Sequence, residues 1–170
     1  MNLDVEIVIR WFIQMEKNNE YFMRLAIKEA KKAYKLGETP IGCVIVKDDK
    51  VIARGYNRRE IDKLSLNHAE IIAIKKASKY IDDWRLDGLK MYITLEPCCM
   101  CAGAIIQARI DEVYYGAKDY RFGADVSYAH IFDLPYNHKV NIKGGILEEE
   151  CSSLMTAFFK ELRYKNKLEN

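Results

Sequence analysis

The sequence predicts an α/β fold, in which helices cover a sheet with a parallel core. Two observations support this prediction. Segments with helical spacing alternate with short apolar, β-branched segments, and a strand–helix–strand alternation predicts parallel strands joined by crossover helices. In addition, 170 residues, of which 49% are hydrophobic, are enough to bury the core of one domain without disulfide bonds.

The first half of the chain predicts a helix followed by a hairpin. Six apolar residues recur at three- and four-residue spacing and predict an amphipathic helix that ends at Gly37. They are Phe22, Leu25, Ala26, Ala30, Ala33 and Tyr34. Two apolar, β-branched-rich runs at 41–46 and 51–56 flank the sequence DDK at 48–50, which predicts a hairpin of two strands.

The second half of the chain continues the alternation. In order, it predicts a largely buried helix at 67–80, a strand at 91–95, a helix at 98–108, a strand at 112–116 and a helix at 148–165. We therefore expect residues 20–170 to form a single domain. Residues 1–19 are expected to be an N-terminal extension of uncertain order. The first 14 residues are mostly apolar and poorly periodic, and the polar run after Met15 would itself suit the start of a protein.

Charge and cysteine content narrow the class of protein. A formal charge of +2 and a pI near 8.2 are too mild to indicate a nucleic-acid partner by themselves. No apolar run approaches the roughly 18 residues of a membrane span, and the N-terminus lacks the features of a signal peptide. Five cysteines, three of them crowded into four positions, indicate reduced or metal-bound thiols and a cytoplasmic location.

The crowded cysteines lie in the sequence EPCCMCAGA at 96–104. If Pro97 ends the turn into the helix, about 100° per residue brings Cys98 and Cys101 within about 60° of each other on one face. Cys99 faces nearly the opposite way and is predicted to be a small core residue. A C-x-x-C pair at a helix N-terminus gains thiolate character and suits either a metal or a redox dithiol.

A second polar group, NHAE at 67–70, also stands at a predicted helix start. Alone, His68 would more often be structural, and Asn67 with Glu70 would resemble a capping box. Together with Cys98 and Cys101, however, His68 completes three metal ligands with an open fourth position, the pattern of catalytic zinc. Cys43 in a strand and Cys151 at the start of the last helix are predicted to be buried.

These motifs carry a resemblance to a known family. The pattern H-x-E…P-C-x-x-C is the signature of zinc-dependent nucleobase deaminases. From about residue 21 to residue 165, the chain resembles the bacterial tRNA-specific adenosine deaminases. The similar stretches are EAKKAYKLGETPIGCVIV, GYNRR, HAEIIAI, YITLEPCCMCAGAII, RIDEVYYGAKD, NHKV and GILEEECSSLMTAFFKELR.

The resemblance implies a fold, a reaction and partners. It implies a three-layer α/β/α, cytidine-deaminase-like fold with a central five-stranded mixed sheet, with 20–170 as the deaminase domain. It also implies a homodimer that holds one Zn²⁺ per chain through His68, Cys98 and Cys101 and acts on the wobble adenosine of a tRNA anticodon. In the family mechanism, hydroxide attacks C6 of adenine, and the carboxylate at the position of Glu70 carries the protons.

The resemblance also assigns residues to the substrate. Asn57 is expected to contact the target base, and Pro40 and Ile41 to line its pocket. Three further residues are expected to border the RNA, namely Ala117, Lys118 and Asp119. Five cations are expected to pair with RNA phosphates or to be solvated, namely Arg58, Arg59, Arg121, Lys160 and Arg163. The loop GADVS at 123–127 departs from the Gly-rich loop common in the family, so its path is an open question.

Three alternatives stay open at this point. A guanine deaminase or a cytidine or deoxycytidylate deaminase would share the metal chemistry and differ in its pocket. A riboflavin-pathway deaminase fits less well, because those sequences space their two cysteines more widely. A structural zinc module would need neither an intact Glu70 nor an incomplete ligand set.

Overall fold

The computed structural model describes residues 18–168, which form four α-helices, five strands and a short 3-10 helix. The helices are α1 (Asn19–Lys35), α2 (Ala69–Ile81), α3 (Cys99–Gln107) and α4 (Glu148–Leu168). The strands are β1 (Gly42–Lys47), β2 (Lys50–Tyr56), β3 (Lys90–Leu95), β4 (Glu112–Ala117) and β5 (Asn141–Lys143), and the 3-10 helix is Ile131–Asp133. Most of the predicted N-terminal extension, including Met15, lies outside the described residues.

The sheet is mixed, with the strand order β2-β1-β3-β4-β5. Strand β1 is antiparallel to both β2 and β3, whereas β3, β4 and β5 are parallel. The predicted hairpin is confirmed, and its turn holds Asp48 and Asp49 at φ values of 47° and 56°. Two successive left-handed residues match the turn whose twist suits a two-residue hairpin. The prediction of an α/β fold with a five-stranded mixed sheet is therefore confirmed.

The sheet lies between two layers of helices. Strand β1 alternates, so that Cys43 and Ile45 pack in the core cluster with α2 and α3. Val44 and Val46 pack in the opposite cluster, together with α1 and the first turns of α4. This alternation is the two-residue period of a strand buried on both faces. Among the described helices, none is long and apolar enough to cross a membrane.

One close approach positions the start of α2. A methyl group at Gly55 in β2 would lie 2.2 Å from the backbone oxygen of Ala69. Only glycine therefore allows the first turn of α2 to lie directly on this strand. The carboxyl ends of β3 and β4 lie side by side, with Leu95 opposite Ala117. The turn after β3 thus reaches the edge of the sheet at which α2 begins.

Candidate metal centre and active site

Three side chains with metal-binding atoms meet at the N-termini of two helices. His68 is the N-cap residue of α2, Cys98 is the N-cap residue of α3, and Cys101 lies in the first turn of α3. The Nδ1 atom of His68 lies 3.7 Å from Sγ of Cys98 and 3.5 Å from Sγ of Cys101. All three ligand atoms lie within 4.8 Å of one another.

The donor set and its spacing fit a zinc ion. Ligands at about 2.0–2.3 Å from a tetrahedral zinc lie about 3.5 Å from one another, which matches both His68 distances. Neither N-cap side chain caps its helix, so both are free for another role. Hydrogen bonds from the Cys101 thiol and then from His68 lower the pKa of Cys98 to about 4, which gives the site a thiolate.

Glu70 stands beside this cluster in the first turn of α2. Its side chain is 4% exposed, and its Oε2 is the one buried side-chain oxygen or nitrogen in 18–168 without a hydrogen-bond partner. Burial raises the pKa of Glu70 from 4.5 to about 7. A buried carboxyl oxygen without a hydrogen-bond partner is unfavourable for folding, which indicates a functional role. A group with a pKa near neutrality can both accept and donate a proton.

One prediction at these helix starts is wrong. Cys99 is exposed rather than part of the core, because it lies on the outer face of the first turn of α3. The alternative interpretation of Asn67 and Glu70 as a capping box does not hold either, because α2 begins one residue later than a cap at Asn67 requires, and Asn67 instead donates to Asp62 at 2.8 Å. Cys43 and Cys151 are buried, as predicted.

A second buried carboxylate holds the residue expected to contact the base. Asn57 follows β2 and donates from its side-chain nitrogen to Oε2 of Glu38 at 3.0 Å. The other oxygen of Glu38, which is fully buried, accepts from the backbone N–H of Ile61 at 2.7 Å. The backbone N–H of Asn57 also donates to the carbonyl of Ile41, next to the buried Pro40. The structure therefore brings the Pro40–Ile41 corner and Asn57 together.

Sequence reasoning missed Glu38. The available signal was an acidic residue directly after the helix-ending glycine, at a point where an exposed turn would be expected. Nothing in the local pattern shows that its partners lie 19 and 23 residues further along the chain.

The residues after β4 lie beside the metal-binding turn. Ala117 is buried, Lys118 is exposed and Asp119 is half-buried. Further along, Gly123 forms a β-bridge with Cys98, and the backbone N–H of Ala124 donates to the carbonyl of Pro97 at 2.8 Å. The loop at 123–127 therefore runs directly past the C-x-x-C turn.

The five predicted cations have different surroundings in the single chain. Arg58 pairs with Asp62 at 2.9 Å and lies over the ring of Tyr56, and Arg59 pairs with Glu60 at 3.0 Å. Arg121, Lys160 and Arg163 are exposed. The last two lie on α4, which packs on the face of the sheet opposite α2 and α3.

The chain is similar to several known proteins. A family model described as the cytidine and deoxycytidylate deaminase zinc-binding region matches residues 16–117. The tRNA-specific adenosine deaminase of Bacillus subtilis (strain 168) is 45% identical over 150 residues, which cover 88% of this chain and 93% of that protein. A solved structure from a study of A-to-I editing by tRNA:A34 deaminases at the wobble position is 42% identical, with a TM-score of 0.77, and the match covers 79% of this chain and 98% of that one. The guanine deaminase from Nitrosomonas europaea shares the fold alone, at 20% identity and a TM-score of 0.72 over 82% of this chain and 83% of that one.

Proposed function

The chain belongs to the family of cytidine and deoxycytidylate deaminases, and from this premise we propose that it deaminates adenosine to inosine at the wobble position of a tRNA anticodon. The reaction is hydrolytic and acts on the C–N bond of an amidine. The observation that carries the deaminase chemistry is the buried Glu70, whose Oε2 has no hydrogen-bond partner, beside the His-Cys-Cys cluster. The similarity to tRNA-specific adenosine deaminases over most of both chains supports tRNA as the substrate.

We propose that His68, Cys98 and Cys101 hold one zinc ion per chain. Three protein ligands leave a fourth position for water, as in catalytic zinc sites. The chemistry that zinc supplies when bound is the activation of water, whose pKa falls from about 15.7 toward about 7. Cys101 is buried, whereas His68 and Cys98 are half-buried, so part of the cluster is accessible to solvent.

Glu70 moves the protons in this proposal. Its carboxylate takes a proton from the attacking water and passes it to the ring nitrogen. It then takes the remaining proton from the added hydroxyl group and passes it to the departing amino group, which leaves as ammonia. Burial favours the protonated form of Glu70 and raises its pKa, which helps this group to return the proton to the substrate. Packing of the first turn of α2 on Gly55 keeps this carboxyl group in place.

The substrate contacts follow from neighbouring loops. We propose that Asn57, held by Glu38, hydrogen-bonds to the target base, and that Pro40 and Ile41 form one wall of the base pocket. The residues at 117–119, next to the metal-binding turn, border the RNA. Of the five predicted cations, Arg121 is the one next to this border, while Arg58 and Arg59 are engaged in local ion pairs.

The proposal extends to assembly and location. We propose that the protein acts as a cytoplasmic homodimer, as its resemblance to the tRNA-specific adenosine deaminases implies. Residues 20–170 are proposed to act as one deaminase domain. Removal of residues 1–14 is then expected to leave deamination intact.

The alternatives differ in what they leave unexplained. A structural zinc module gives no reason for the unpartnered oxygen of Glu70. A guanine or cytidine deaminase would retain the metal centre but act on free bases or nucleosides.

The test of the proposed function is incubation of the zinc-loaded protein with total tRNA, guanine and cytidine. We expect inosine in tRNA and little turnover of the small molecules, whereas the reverse result would favour the alternative deaminases.

A further inference from the structure

A buried carboxylate next to the metal-binding turn has partners that the proposed chemistry does not use. Glu96 is 2% exposed and directly precedes Pro97. Its Oε1 accepts from the backbone N–H groups of Asp125, Val126 and Ser127 at 3.1, 2.9 and 3.1 Å. Its Oε2 accepts from the backbone N–H of Asp119 at 3.0 Å and from the hydroxyl of Ser127. The loop at 119–127 therefore folds around one side chain.

The same loop is also joined to the metal-binding turn through the backbone. Gly123 pairs with Cys98, and Ala124 donates to Pro97. A methyl group at Gly123 would lie 2.4 Å from the carboxyl carbon of Glu96 and 2.5 Å from the backbone oxygen of Asp119. The packing around the carboxylate therefore requires glycine at this point.

The larger apolar side chains of the loop are exposed and do not hold it in place. Tyr120 is 76% exposed, Phe122 is 63% exposed and Val126 is 49% exposed. Tyr128, directly after the loop, is also largely exposed. A loop that buries little apolar surface depends on its hydrogen bonds for a fixed shape, and bonds to an ionised carboxylate are the stronger ones. Glu96 suits this role, because its two oxygens accept hydrogen bonds from four backbone N–H groups and one hydroxyl of the loop.

We propose that Glu96 is a positioning residue for the RNA substrate. By fixing the 119–127 loop, it holds the rings of Tyr120 and Phe122 beside the metal-binding turn, where they stack on unpaired nucleotides next to the target. Aromatic rings stack on bases with about 1–3 kcal/mol each, and this contact needs no particular base sequence. The inference rests on the proposed function, because it requires RNA at this side of the metal centre.

The test compares Glu96→Gln with the matched variant Glu29→Gln. In Glu96→Gln, one oxygen becomes an NH₂ group that meets backbone N–H donors, so several loop hydrogen bonds are lost while the side chain keeps its size. Glu29 is also buried, but it pairs with Lys32 and Arg54, away from the loop. Its variant controls for the loss of a buried carboxylate.

Two readouts are needed, and one of them does not depend on activity. In Glu96→Gln, hydrogen exchange of the amides at 125–127 is expected to accelerate at least about tenfold, with zinc content unchanged. The KM for tRNA is expected to rise about tenfold with kcat nearly unchanged. Glu29→Gln should change neither quantity. If Glu96→Gln does not fold, Ser127→Ala replaces it in the test. This variant removes one of the five donors to Glu96 and should raise the KM for tRNA by a smaller factor.

Several outcomes would overturn the proposal. Faster exchange with an unchanged KM for tRNA would mean that the loop does not meet RNA. Loss of zinc and of kcat at constant KM would mean that Glu96 supports only the metal-binding turn, and a loss of dimer at constant KM would mean that the rings face a second copy. No inosine with the wild-type protein would overturn the proposed function itself, and the RNA role with it.

Discussion

Replacement of Glu70 by Gln separates the folding cost of this residue from its chemical role. In the metal-free protein, burial raises the pKa of Glu70 from 4.5 to about 7. Because each tenfold change in proton affinity corresponds to about 1.4 kcal/mol, ionised Glu70 destabilises the folded state by about 3 kcal/mol above pH 7. Glutamine carries no charge, so we expect metal-free Glu70→Gln to be more stable than the wild type at pH 8.

The direction of the pKa shift of Glu70 determines the pH range in which the stability of the protein changes. A carboxyl group whose folded-state pKa is raised contributes stability below about pH 4.5, which is lost as the pH rises toward 7. The stability difference between variant and wild type should therefore be small at pH 4.5 and full at pH 8. For a chain of this size, about 3 kcal/mol corresponds to a Tm difference of about 6–12 °C. Thermal unfolding of both proteins at the two pH values measures it.

The same variant should lose catalysis. Glutamine cannot carry a proton, and a positioned acid–base group contributes about 10²–10⁴-fold to the rate. Glu29→Gln is the control, because it breaks the ion pairs to Lys32 and Arg54 and should destabilise the protein without removing the proton carrier. A Glu70→Gln protein that is less stable at pH 8, or that deaminates at a near-normal rate, would refute the assignment.

Three further predictions follow from the site. Cys99→Ala should retain one zinc per chain and most activity, whereas Cys98→Ala and Cys101→Ala should lose both, as metal analysis of the three variants will show. Glu38→Gln should raise KM about tenfold with little loss of zinc, because it weakens the hydrogen bond that orients Asn57; steady-state kinetics on tRNA measures this, and an unchanged KM would contradict it. Since phosphate contacts should supply much of the affinity, tRNA binding should weaken markedly between about 50 and 200 mM salt, and a flat salt dependence in a binding assay would contradict it.

The sequence predicted the helices and strands that are long enough to show a clear hydrophobic periodicity. The helices at α1, α2, α3 and α4 and the first four strands lie within a few residues of the predicted bounds. Strand β5 was not found by pattern because it has three residues, of which only Ile142 packs against the core. The 3-10 helix is equally short. A segment of three residues is too short to show the hydrophobic periodicity of a helix or a strand.

The parts of the site that depend on residues close together in the sequence could be predicted. The spacing of Cys98 and Cys101 on one helical turn required no tertiary information, and His68 stood at another helix start. The exposure of Cys99 depends on which face of α3 the rest of the protein covers, which spacing alone does not show. The roles of Glu38 and Glu96 depend on donors 19 to 31 residues away, most of them backbone groups that carry no residue-specific signal.

The central claim is that this protein hydrolyses adenosine to inosine within tRNA. The most direct measurement is mass spectrometry of tRNA after incubation with the zinc-loaded protein in water enriched in oxygen-18. The account predicts inosine at the first anticodon position alone, with the label at the new oxygen because water is the nucleophile, and no product with Glu70→Gln. Unlabelled inosine, inosine at unrelated positions, or turnover of guanine or cytidine with unmodified tRNA would contradict it.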